Sequence, residues 1–145
     1  MSTEDNKALV RRFYDEVINE NRLDLLDEIV TEDFTEETPL PGQEQGREGL
    51  RRWFETVKAA YPDMHWDVEE MIAEADNVAL RAFINGTSQG PLMGMGPTGK
   101  RVRVEAWVAV RFRNRKISGT RFLMDTGSLM QQLGVIPPQP ATTAS

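Results

Sequence analysis

One carboxylate in this sequence is a clear candidate for acid/base chemistry, because Asp125 lies among large apolar residues. An apolar run at 122–124 precedes it, and Leu129 and Met130 follow it. An apolar pocket disfavours the ionised form of a carboxylate and raises its pKa toward neutral pH, which suits a residue that removes and returns a proton. Aspartate is also a favoured helix N-cap, and a short helical turn is predicted at 128–133. The residues alone leave a working acid and a structural cap as alternatives.

A second candidate, Arg121, lies four residues before Asp125. In a strand this spacing places both side chains on one face and about 13 Å apart, at ~3.3 Å per residue. The guanidinium could hold an enolate, phenolate or carboxylate of a ligand. The alternative is a solvated arginine on the outer face of a sheet.

Composition narrows the chemistry of the 145-residue chain, which has no cysteine, one histidine and a net charge of −6. The lack of cysteine excludes disulfides and thiolate sites, and one histidine leaves little room for a zinc centre or a Ser-His-Asp triad. The negative charge argues against nucleic acid. No apolar run approaches the ~20 residues that span a bilayer, and the polar, acidic N-terminus is unlike a signal peptide. We expect no metal, no nucleic-acid partner, no membrane association and a cytoplasmic location.

The elements that must position these residues follow from apolar periodicity. Helical spacing predicts three N-terminal helices, at 5–20, 23–30 and 47–60. A period of two predicts strands after Pro62, and these lie at 64–69, 78–84, 102–112 and 117–124, with a short extended segment earlier at 31–38. Helices followed by strands indicate an α+β fold, in which three N-terminal helices pack on one face of a curved antiparallel sheet. Such a cone-shaped α+β barrel encloses an apolar pocket suited to a small molecule.

Candidate ligand contacts come from the helices and from one loop. Phe13, Trp53 and Phe54 have the spacing of core residues, and some of them must line any pocket. The glycine-rich loop 86–99 carries Met93 and Met95, whose flexible thioethers suit a gate over a flat aromatic ligand. We expect one domain at 1–136 and a disordered polar tail at 137–145.

The predicted strand 102–112 has an apolar face and a basic one. The basic face carries Glu105, Trp107 and five arginines. These arginines are Arg101, Arg103, Arg111, Arg113 and Arg115. An anion-binding surface is one interpretation, but the negative net charge favours a convex outer face whose arginines pair with acids or meet a second subunit. We therefore expect a homodimer or homotetramer through the outer sheet face.

Four stretches of the chain carry a family resemblance over about residues 7–137. They read NKALVRRFYDEV, GREGLRRWFETVKAAYPD, DNVALRAFINGTSQGPLMGMGPTGKRV and KISGTRFLMDTGSLMQQLG. The chain resembles the SnoaL-like polyketide cyclases, which share the nuclear-transport-factor-2-like cone fold with the ketosteroid isomerases. The resemblance implies a single SnoaL-like domain that acts on a small aromatic polyketide ligand without a metal or organic cofactor.

The same resemblance implies roles for particular residues. In the cyclases an aspartate of the last strand is the general acid/base of an intramolecular aldol closure, and Asp125 occupies that position. Arg121 stands where several of these enzymes also carry arginine. Val108 aligns with a histidine that assists at the substrate carbonyl, and relatives often carry a histidine near the segment that here reads Glu36-Glu37-Thr38.

These departures leave three functions open. The first is acid/base-catalysed aldol ring closure in anthracycline-type polyketide biosynthesis. The second is hydroxylation of an anthracycline-type intermediate, since a few members of the family are thought to hydroxylate such precursors and the assisting histidine is missing here. The third is a non-catalytic module that binds a small molecule.

Overall fold

A five-stranded sheet forms one wall of the protein in the computed structural model, which describes residues 2–136. Its strands are β1 (Val30–Glu36), β2 (His65–Glu74), β3 (Asn77–Thr87), β4 (Arg101–Arg113) and β5 (Lys116–Met124). Their order is β1-β5-β4-β3-β2. The polar tail predicted at 137–145 lies outside the described residues.

The sheet is mixed, which corrects the prediction of a purely antiparallel one. Strands β2 to β5 form an antiparallel meander, as their alternation predicted. Strand β1 instead pairs in parallel with β5, the last strand of the chain. Alternation within a short strand does not indicate its partner, so the sequence could not show this parallel pair.

Helices cover the inner face of this sheet and extend beyond its ends. They are α1 (Thr3–Arg12), a π-helical segment (Phe13–Asn19), a 3₁₀ turn (Leu23–Leu25), α2 (Leu26–Ile29), α3 (Gly46–Ala60) and α4 (Thr126–Leu133). The α+β cone of the sequence analysis is confirmed in its architecture. The second predicted helix is one residue shorter than expected because Val30 already begins strand β1. No helix within residues 2–136 is long and apolar enough to span a membrane.

The π-helical segment turns more aromatic surface toward the sheet than a regular helix would. Two adjacent pairs, Phe13-Tyr14 and Val17-Ile18, are all buried. At the end of this segment the Asn19 side-chain amide bonds to the Trp66 backbone. Its Nδ2 donates to the Trp66 carbonyl at 2.9 Å, and its Oδ1 accepts from the Trp66 backbone N–H at 2.8 Å. This clamp joins the helix to β2 and positions Trp66, and π-helical turns of this kind are frequent at functional sites.

Alternation along β4 separates an apolar inner face from a charged outer face. The predicted inner residues from Val102 to Val110 are buried at every second position. Bulges interrupt the register near Val68 and Arg111, and bulges bend strands and increase their twist. The inner face therefore wraps around the helices and leaves a space between them.

Candidate functional site

A cavity of about 140 Å³ lies between the inner face of the sheet, the π-helical segment and helices α3 and α4. Its wall is almost entirely apolar. The structure places five of the six predicted ligand contacts on this wall, and these are Phe13, Trp53, Phe54, Met93 and Val108. Met95 instead packs against Leu129 and Leu133 of α4 with Val102 and Val104. The contact of these side chains with a ligand stays a prediction.

Aromatic rings form a continuous wall on one side of the cavity. Phe13 meets Tyr14 edge to face at 5.1 Å between ring centroids, and Tyr14 lies 4.9 Å from Trp66. Trp66 in turn lies 5.8 Å from Phe122. Such a surface offers both ring faces and ring edges, which suits a flat aromatic ligand.

The one charged residue on this described wall is Glu36, at the end of β1. It is only 6% exposed. Thr120 donates its hydroxyl proton to Oε1 at 3.2 Å, and the Thr38 amide donates to Oε2 at 3.2 Å. Burial raises the pKa of the Glu36 carboxyl above its usual value, while these hydrogen bonds pull it down by a smaller amount. The residue therefore has the environment that the sequence analysis expected for Asp125.

Backbone contacts on both sides hold Glu36 in place. Glu36 and Thr120 are directly paired across the parallel β1–β5 ladder. On the free edge of β1 the Gln45 side chain accepts from the Glu36 amide at 2.8 Å and donates to the Glu36 carbonyl at 2.9 Å. Gln45 thus satisfies edge groups that would otherwise lack a partner, and the carboxyl is presented from a rigid strand end.

The Thr38 hydroxyl lets this site hold the carboxyl in either protonation state. Thr38 Oγ1 lies 2.7 Å from both the carbonyl oxygen and the amide nitrogen of Phe122. A hydroxyl has a single proton, so Thr38 Oγ1 can donate either to the Phe122 carbonyl at 2.7 Å or to Glu36 Oε2 at 3.3 Å. An ionised Glu36 keeps its two neutral donors, and a protonated Glu36 can donate to Thr38.

Tyr14 is a second titratable group on the wall, and it is 3% exposed. Burial raises the pKa of its hydroxyl, and the nearby charge of Glu36 raises that pKa further. The phenol therefore remains a neutral hydrogen-bond donor at ordinary pH. Within residues 2–136 no group of three His, Cys, Asp or Glu side chains is arranged to hold a metal ion.

Asp125 lies outside the cavity wall and is exposed. Its Oδ1 accepts from the Ser128 amide at 3.0 Å, and it is the N-cap of α4. The structure thus shows that Asp125 caps this helix. The prediction that its carboxylate lies in an apolar environment is wrong. Alternation explains the difference, because Phe122 and Met124 point inward and the residue that follows them does not. An acid/base role for Asp125 stays a prediction.

Arg121 lies on the outer face of the sheet, with a side chain that is 63% exposed. Its Nε is 3.6 Å from a carboxylate oxygen of Glu37. Arg121 is therefore a solvated arginine on the outer face, as the alternative interpretation of the sequence had it. Its catalytic role also stays a prediction. The two neighbouring acids Glu36 and Glu37 face opposite sides of the sheet.

Sequence reasoning missed Glu36, Tyr14 and Thr120 as site residues. A signal for Glu36 was present, since it shares the parity of the buried Phe34 in the short strand. Thr120 likewise shares the inward parity of Phe122 and Met124. Tyr14 lies beside Phe13 on the predicted first helix, but that position did not indicate a contact with the cavity.

Solved structures of similar fold include a proposed polyketide cyclase from Bacillus cereus ATCC 10987. It is 27% identical over 88% of this chain and 79% of its own, with a TM-score of 0.74. AclR from Streptomyces galilaeus, a proposed hydroxylase, is 26% identical over 96% of this chain and 87% of its own, with a TM-score of 0.80. TsrD from Streptomyces laurentii shares the fold at a TM-score of 0.84 and 22% identity, covering 94% of this chain and 99% of its own.

No functionally curated protein shows significant sequence similarity to the chain. The family model for SnoaL-like polyketide cyclases matches residues 8–133. That range contains every strand of the sheet and the whole described cavity wall. The chain therefore belongs to the SnoaL-like polyketide cyclase family.

Proposed function

We propose that this protein is a polyketide tailoring enzyme that closes a ring in an aromatic, anthracycline-type intermediate, with Glu36 as its acid/base. The observation that carries the proposal is a buried carboxyl with a raised pKa on the wall of an apolar cavity. A carboxyl in a cleft whose pKa is shifted by burial is a candidate functional residue. Membership of the cyclase family supports the reaction class.

In an aldol closure the ionised Glu36 removes a proton alpha to a substrate carbonyl. The resulting enolate carbon forms a bond to a second carbonyl of the same molecule. The oxygen of that second carbonyl becomes an alkoxide and takes the proton back from Glu36, so the enzyme ends unchanged. The neutral hydroxyl of Tyr14 can donate a hydrogen bond to charge that develops on a substrate oxygen. A positioned acid/base of this kind contributes about 10²–10⁴-fold in rate.

The charge of the wall favours a neutral substrate. Glu36 is its one ionisable acid, and the described wall contains no Lys, Arg or His. A free carboxylate would enter beside Glu36 without a cation to offset the repulsion, and burying an unpaired charge is costly. An ester of the polyketide acid is therefore the form that this cavity can bind.

Hydroxylation of an anthracycline-type intermediate is a second candidate, favoured by the 26% identity to AclR and by Val108 on the cavity wall. Glu36 would deprotonate an electron-rich phenol, and the carbanion would add to dioxygen. The hydroperoxide that results needs an external two-electron reductant to give the alcohol and water.

A ligand-binding module without chemistry is a third candidate. The observation in its favour is that the cavity wall does not include Asp125. Binding of an aromatic ligand without turnover by the native protein would favour this candidate over both enzymes.

We also propose that the outer sheet face is a homodimer contact. Trp107 is 45% exposed and Leu123 opposite it is 66% exposed, which leaves an apolar patch at the centre of this face. Charges surround the patch in ion pairs, including Arg81 with Glu70 at 2.9 Å and Arg111 with Glu37 at 2.6 Å. An apolar centre with a charged rim matches the composition of protein interfaces.

The first prediction separates the two candidate acids. Glu36→Gln should lower kcat on a polyketide-derived methyl ester by about 10²–10⁴-fold, because it removes the acid/base. Asp125→Asn should keep kcat within about threefold, since asparagine caps a helix as well as aspartate does. Turnover is measured by liquid chromatography, with the fold of each variant checked by circular dichroism. The opposite pattern would assign the chemistry to Asp125.

The second prediction concerns stability against pH. The pKa of Glu36 is raised in the folded state above its ordinary 4.5. The unfolded state therefore loses its proton first, and the wild-type free energy of unfolding falls as pH rises from about 4.5 through the folded-state pKa. Glu36→Gln removes this loss, so urea unfolding should show the variant gaining stability over wild type between pH 4 and pH 8. Glu32→Gln, an exposed acid of the same strand, is the control. A pH-independent difference for Glu36→Gln would contradict the raised pKa.

The third prediction distinguishes ring closure from hydroxylation. Incubation with the methyl ester should yield an isomer of unchanged mass, with or without dioxygen, as measured by mass spectrometry. A gain of one oxygen that requires dioxygen and a reductant would establish the hydroxylase instead.

The fourth prediction tests the outer face. Trp107→Glu should shift the protein from dimer to monomer in light scattering after size exclusion, because a charge at the centre of an apolar contact is desolvated without a partner. Glu74→Ala changes an exposed residue at the end of β2 and should leave the mass unchanged. A monomeric wild-type protein at high micromolar concentration would contradict the proposal.

A further inference from the structure

Thirteen residues connect β3 to β4 as a loop. The base of this loop is hydrogen-bonded to the rest of the protein, whereas the tip is hydrogen-bonded only within itself. At the base, the amides of Gln89 and Gly90 donate to the Ala60 carbonyl at 2.9 and 3.0 Å. The buried Ser88 accepts from the Thr98 amide at 3.0 Å, and its carbonyl accepts from Gly99 at 2.8 Å. These bonds tie both ends of the loop to the end of α3 and to each other.

The tip is a two-residue turn whose backbone is hydrogen-bonded only within itself. Leu92 and Met95 exchange two backbone hydrogen bonds, at 2.9 and 3.0 Å, around Met93 and Gly94. In the described structure, residues 91–97 make no hydrogen bonds other than these two. A side chain built at Gly94 would meet no atom within 4 Å, so the tip stands clear of the rest of the protein.

The backbone of this turn does not suit the residue that occupies it. Met93 has φ +53° and Gly94 has φ +76°, which are the two positive angles of a type I′ turn. Glycine and asparagine adopt such angles readily, whereas a methionine is strained there. A strained residue persists where its side chain has a function that a relaxed residue would not serve.

The side chain of Met93 reaches the cavity. Met93 and Leu92 both line its wall, while Met95 faces the α4 cluster. The cavity holds about 140 Å³. An engineered cavity of about 150 Å³ accommodates one benzene molecule. A ligand with several fused rings therefore needs more room than this conformation offers, and the tip is a part of the wall whose backbone is hydrogen-bonded only within its own turn.

We propose that Met93 determines the ring count of the ligand, because its side chain lines the cavity from a loop tip whose backbone is hydrogen-bonded only within its own turn. This inference rests on the proposed function, since it takes the cavity as the ligand site. A thioether is unbranched and adapts its shape, so Met93 can retreat before a flat ligand at low cost. Removal of this side chain opens the wall permanently and relaxes the turn.

The test compares one single-ring probe with one four-ring probe. The probes are phenol and a hydroxynaphthacenequinone, and binding is followed through tryptophan fluorescence because Trp53 and Trp66 line the cavity. Met93→Gly should tighten Kd for the four-ring probe at least tenfold and change Kd for phenol less than threefold. Its melting temperature should not fall, since glycine suits the positive φ.

Two control variants separate the side chain from the backbone. Met93→Leu keeps the volume and the turn strain, so it should bind both probes as wild type does. Gly94→Ala strains the same turn at a residue that is not on the cavity wall, and it should leave the ratio of the two Kd values unchanged.

Three results would overturn the inference. They are an equal change in both Kd values in Met93→Gly, the same selectivity change in Gly94→Ala, and a wild-type protein that already prefers the four-ring probe with no gain in Met93→Gly. Binding of both probes without a change in selectivity contradicts only the role of Met93. Failure of every variant to bind either probe would overturn the proposed function together with it.

Discussion

Burial of one carboxyl in an otherwise apolar cavity is the constraint on which the site depends. Glu36 faces a wall of aromatic and aliphatic side chains, and only neutral donors reach its oxygens in the described structure. A buried carboxylate without a cation costs stability, and the raised pKa is the measure of that cost. Under the proposed function, this cost falls on the residue that transfers a proton to the ligand, as is common at catalytic sites.

The parallel β1–β5 pair makes this burial possible. It places Thr120 directly beside Glu36 and brings Thr38 against Phe122, so that the carboxyl gains its two donors from neighbouring chain segments. Gln45 closes the other side of the strand. The residues around this carboxyl therefore come from segments far apart in the chain, and the strand pairing brings them together.

Two faces of one sheet divide the charged residues by role. Inward parity collects the apolar wall and Glu36, whereas outward parity collects the arginines, their acid partners and Trp107. Asp125 follows this division. Met124 is the last residue that faces inward, and Asp125 after it faces outward and caps α4. Asp125 has apolar neighbours in the sequence but is exposed in the fold, whereas Glu36 is the carboxylate that apolar side chains surround.

The sequence by itself determined the α+β class, the inner and outer parity of β4, the helix that carries Trp53 and Phe54, and the family. These features depend on local periodicity or on motifs, which a linear sequence contains in full. Only the tertiary structure decided that β1 joins β5, that a π-helical turn buries Tyr14, and that Glu36 rather than Asp125 lines the cavity. Each of these depends on contacts between segments far apart in the chain, and the physical environment of a carboxyl is set by those contacts and not by its neighbours in sequence.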